Sequence, residues 1–145
     1  MQYSVRFFIS WITSAVLMYA AFYVWHGVFL NDLNRISFSK ILFLVLAALV
    51  YLVISYVLYR LFETKLLSKY ISSPVLKGAV GGVALGFVIF AGVTVLGISF
   101  TKHITMEYLV VDCAWQMAEQ LIGGIIIGLG RVFIFEPAPE IGHND

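Results

Sequence analysis

Apolar residues run along this chain in long uninterrupted blocks. No formal charge falls between Arg6 and Asp32, between Lys40 and Arg60, or between Lys77 and Lys102. A fourth block, from Thr105 to Phe135, is apolar in its second half but carries Glu107, Asp112, Glu119 and Arg131. A helix that crosses a bilayer needs about 20 predominantly apolar residues. The pattern therefore predicts four spanning helices at about 7–30, 40–62, 74–101 and 105–135, with a mobile polar tail over 136–145. A closed barrel is the other way to satisfy a backbone in lipid, and its strands alternate apolar and polar residues. The run Ile41–Val50 does not alternate, so the fold class is all-α: an integral membrane four-helix bundle, up-down-up-down, with short loops.

Local signals mark the breaks. Ser73-Pro74 reads as an N-cap and a proline at the first helical position. Thr105 is placed to cap the fourth helix, with Glu107 in its first turn toward the positive end of the dipole. Asn31-Asp32-Leu33-Asn34 is a turn-like interruption. The apolar run after Arg6 lacks a short core followed by a small-residue cleavage site, so it reads as a retained helix and not a signal peptide.

Composition agrees with lipid as the solvent. Hydrophobic residues make up 61% of the 145 and charged residues 12%, against about 45–50% and about 25% in soluble domains. The net charge of +1 and the lack of a basic stripe point away from nucleic acid. The single cysteine, Cys113, excludes an internal disulfide and a dithiol redox pair. With four crossings, Arg6, Arg60, Lys65, Lys69, Lys77 and Arg131 share one side, and Arg35, Lys40 and Lys102 the other. Cations favour the cytoplasmic side, so both termini are expected there, in a cell (inner) membrane.

Two features indicate where helices meet. Gly78, Gly82 and Gly86 recur every four residues on the third helix, and Gly124 and Gly128 do so on the fourth. Small residues let helix backbones approach closely in lipid, and packing of these two consecutive helices on each other is the preferred use of the stripes. The second feature is polar: Asp112, Gln116, Glu119 and Gln120 fall within about one third of the fourth helix's circumference. Glu119 lies 12 residues from Arg131, roughly 18 Å along the axis and hence inside the membrane, whereas Asp112 lies near the outer surface. A carboxylate at that depth costs roughly 2.5–3.5 kcal/mol on insertion scales. It must meet protein, water or a cation, or stay protonated. The hydroxyls considered as partners are Ser10, Thr13, Ser14, Tyr19, Ser55, Tyr56 and Thr94.

His26 and His103 are expected at the same membrane surface, which permits a bis-histidine haem or a metal there. No close ligand spacing supports it, so no cofactor is the preferred expectation. The tryptophans Trp11, Trp25 and Trp115 read as part of an interfacial aromatic belt. The short loops hold too few polar groups for a typical catalytic constellation. The preferred role is therefore a non-enzymatic structural or accessory subunit that packs on copies of itself or on other membrane subunits. The alternatives are a small proton-coupled transporter or channel using Glu119, and a haem-ligating redox subunit.

Overall fold

A computed structural model describes residues 4–97 and 105–135. Helix α1 spans Val5–Phe22, and its first turn is capped by Ser4, whose Oγ accepts from the Phe7 amide at 3.2 Å. The helix runs on as a π-helical segment, Tyr23–Phe29, closed by the Leu30 amide donating to the Trp25 carbonyl at 2.9 Å. Asn31 then turns the chain with φ 55°, a left-handed conformation that asparagine tolerates better than most residues. A 3₁₀ turn, Asp32–Asn34, precedes α2, Lys40–Glu63. The one-turn helix α3, Lys65–Ser68, leads to α4, Pro74–Gly97. Ser73 and Thr105 cap α4 and α5 through their hydroxyls, at 3.4 Å from the Leu76 and Tyr108 amides. Helix α5 spans Met106–Phe133.

The first helix begins two residues earlier than its charge-free block because the Ser4 cap brings Arg6 inside the first turn. The fourth long helix stops at Phe133, where Ile134 turns extended with ψ 103°. Residues 98–104 and the tail 136–145 lie outside the described residues.

The long helices form a four-helix bundle. Helix α1 lies between α2 and α5, α4 lies between α5 and α2, and α2 and α5 also touch across the bundle. The two main seams are built differently. Between α1 and α2 the contacts are aromatic and hydroxyl-mediated: Phe7 meets Tyr59 edge-on at 4.8 Å, the Trp11 indole donates to the Leu52 carbonyl at 2.8 Å, and Ser55 Oγ donates to the Trp11 carbonyl at 2.8 Å. Trp11 is thus an interhelical donor.

Between α4 and α5 the contact is backbone on backbone. A Cβ at Gly82 would stand 2.7 Å from the Gln120 carbonyl carbon, one at Gly86 2.7 Å from the Gln116 oxygen, and one at Gly128 2.6 Å from the Pro74 oxygen. Gly78 and Gly124 face each other at the same close approach. These helices run antiparallel, because rising numbers on one meet falling numbers on the other.

The outside is as apolar as the seams. On α2, Ile41, Val45, Leu49 and Val53 are exposed, Ile41 at 76%. Such stripes occur on every long helix, and all four are long and apolar enough to cross a membrane. Side chains of this kind lose roughly 1.5–3 kcal/mol each when left in water; hydrocarbon removes that penalty. The chain is a four-span membrane protein.

Candidate functional site

The polar groups of α5 do not share one fate. Asp112 is exposed and Gln116 half-buried, while Glu119 and Gln120 are 1% and 0% exposed. The gradient follows depth. Glu119 is the fourteenth residue of the 28 in α5, at its midpoint. Facing it is Tyr51, the twelfth of the 24 residues in α2 and likewise central.

Both carboxyl oxygens of Glu119 accept hydrogen bonds from within the chain. The Tyr51 hydroxyl donates to Oε2 at 2.6 Å and the Trp115 indole N–H to Oε1 at 2.6 Å. Trp115 lies one turn before Glu119, where α-helical geometry puts side chains over one another. Tyr51 comes from another helix, so this bond ties α2 to α5 at mid-membrane. Hydrogen bonds to a charged group are worth about 1.5–3 kcal/mol where water is absent, although interhelical bonds in membranes average about 0.6.

Further layers hold these donors in place. The Trp115 ring stacks on Trp25, with centroids 4.2 Å apart and planes 11° from parallel. Trp25 belongs to the π-helical part of the first span, where the wider turn changes the direction of its side chains. Phe22 packs on the Tyr51 ring at 5.5 Å and on the His26 ring at 5.0 Å. His26 lies 3.1 Å through Nδ1 from Asp32 Oδ2, and Asp32 also approaches Arg35 at 3.9 Å. An aromatic ladder thus joins the central acid to the histidine–aspartate pair at one end of the bundle.

None of the hydroxyls considered from sequence bonds Glu119. Ser14 donates to the Gly123 carbonyl at 3.1 Å, Ser55 bonds Trp11, and Thr13 is exposed. Tyr19 packs on Tyr51 at 6.2 Å, and Tyr56 packs against Phe7 and Trp11. Of the two true partners, Trp115 was findable by its spacing of four from the acid. Tyr51 carried no such signal, because α2 is apolar all round.

The Gln120 amide is buried with neither its nitrogen nor its oxygen hydrogen-bonded among the described residues. Burying an unpaired amide costs roughly 1–3 kcal/mol. Gln120→Met, which keeps the length and removes the amide, is expected to leave unfolding in detergent unchanged or raise stability by about 1 kcal/mol. A drop of that size would mean that the amide has a partner in the folded protein.

For a metal, the described residues hold no group of three or more His, Cys, Asp or Glu side chains placed to share one. His103, the second half of the bis-histidine expectation, lies outside the described residues. Cys113 Sγ lies 3.8 Å from Met117 Sδ on its own helix. Comparison with protein-family models, curated proteins and solved structures finds no match to this chain.

Proposed function

We propose that this chain is a non-enzymatic component of a cell (inner) membrane, with cytoplasmic termini, which assembles with copies of itself or with other membrane subunits. The observation that carries this reading is that both oxygens of Glu119 are engaged by Tyr51 and Trp115. An acid held this way pins α2 to α5 and fixes one arrangement of the bundle. Buried polar groups can specify a unique packing in this manner. The apolar stripes on every long helix offer surface to lipid and to partner helices alike. Purification from the native membrane in mild detergent, followed by sizing and mass spectrometry, is expected to give an oligomer or a stoichiometric complex. A lone stable monomer would count against it.

A second reading, proton-coupled transport through Glu119, draws on one observation: among the described residues no lysine or arginine is ion-paired with this acid. Intramembrane carboxyls of that kind serve proton relays in pumps and transporters. In liposomes under a pH gradient, a flux that Glu119→Gln abolishes would establish this reading. The subunit role expects no flux in either protein.

A further inference from the structure

At the end of the bundle where α2 and α5 stop and α4 starts, a cavity of about 440 Å³ opens among Phe62, Glu63, Ser68, Ser72, Lys77 and Arg131. This size falls within the ~300–1,000 Å³ of small-ligand sites. Lys77 is 9% exposed, and its position is built: Nζ donates to Ser68 Oγ at 2.6 Å and stands 4.5 Å from the centre of the Phe62 ring. Arg131 is exposed and lines the same cavity. Neither cation is ion-paired with a carboxylate among the described residues. Glu63 is the one acid in the lining. The start of α4 borders the same space through Pro74.

Two cations against one carboxylate leave the lining with a net positive charge, which a bound anion would offset. We infer that this cavity binds a phosphate group, held between Lys77 and Arg131 with the Ser72 hydroxyl as a further donor. Basic pockets between helix ends at a membrane surface suit anionic lipid headgroups. Exposed Leu66, Tyr70 and Phe133 occur on the segments that form this end of the bundle and can contact the acyl region. The phosphate can thus arrive on a lipid or free in solution, and the site chemistry is shared. The inference does not depend on the role proposed for Glu119.

The test uses the full chain in phosphatidylcholine nanodiscs containing a small fraction of phosphatidylglycerol, with native mass spectrometry of retained lipid. The wild type is expected to retain phosphatidylglycerol at least fivefold over its share of the disc. Arg131→Gln, a rim change that leaves the buried lysine in place, is expected to bring retention to parity without lowering thermal stability. Lys77→Arg, which keeps the charge, should preserve it, and Lys65→Gln with Lys69→Gln, outside the cavity, should leave it unaltered. In phosphatidylcholine-only discs, inorganic phosphate that stabilises the wild type but not Arg131→Gln would identify free phosphate as the source. Equal retention of both lipids together with no response to phosphate would overturn the site. So would an equal loss in the Lys65/Lys69 variant, which would reduce the effect to general surface charge.

Discussion

Gly82→Val is expected to separate α4 from α5, lowering stability by about 3 kcal/mol in a detergent-unfolding titration. The added Cβ would meet the Gln120 carbonyl carbon at 2.7 Å and the Leu121 Cα at 3.0 Å. Both are backbone atoms of a packed helix, so neither can swing aside as a side-chain tip would. Relief requires the two axes to move apart. That loses dispersion contacts along the whole seam, since small-residue packing is what holds helices together in lipid. Gly124→Val should behave alike, because its Cβ would drive into the backbone around Gly78 and Gly82. Gly92 provides the control: a Cβ there meets nothing within 4 Å. Gly92→Ala is expected to be neutral or to gain up to about 1 kcal/mol from helix propensity. A Gly82→Val protein as stable as the wild type would mean that the α4–α5 approach is looser than described.

Glu119→Leu is expected to cost about 2–3 kcal/mol of bundle stability, and Glu119→Gln appreciably less. Leucine leaves the Tyr51 hydroxyl and the Trp115 indole N–H buried with no acceptor, each at about 1–3 kcal/mol. Part of that returns, because helices separated in lipid leave the same donors unsatisfied. The glutamine carbonyl can still accept from one donor, so most of the clamp survives. A rise in stability on Glu119→Leu would mean that the acid is retained at a stability cost for some other purpose. That outcome would favour the proton-coupled reading.

How far the sequence led is clearest from individual residues. The first three spans were legible because each lies between charges, and the cost of charge in hydrocarbon leaves little freedom for their ends; the fourth was legible through its apolar second half. The glycine stripes could be assigned to one another because both recur every four residues on consecutive helices. The depth of Glu119 followed from helical rise alone. What could not be read was which face of α2 turns inward: its residues are apolar around the whole circumference, so Tyr51 and Tyr56 looked alike, and only packing separates them. Trp25 was obscured for another reason. A π-helical segment rotates its side chains away from the positions that a 100° step assigns. Trp115 was placed in a belt by its residue type, although its spacing from Glu119 already marked it as a partner. The cavity near Lys77 joins residues from distant parts of the chain, and no local pattern announces it.

The most direct test is a double-mutant cycle on the bond that ties α2 to α5. Unfolding free energies of the wild type, Tyr51→Phe, Glu119→Leu and the combined variant would be compared in one lipid or bicelle system. The expected coupling is about 0.6–1.7 kcal/mol, the range found for hydrogen bonds between membrane helices. Strictly additive losses would contradict the pairing of Tyr51 with Glu119, and with it the role of this acid in holding the helices together.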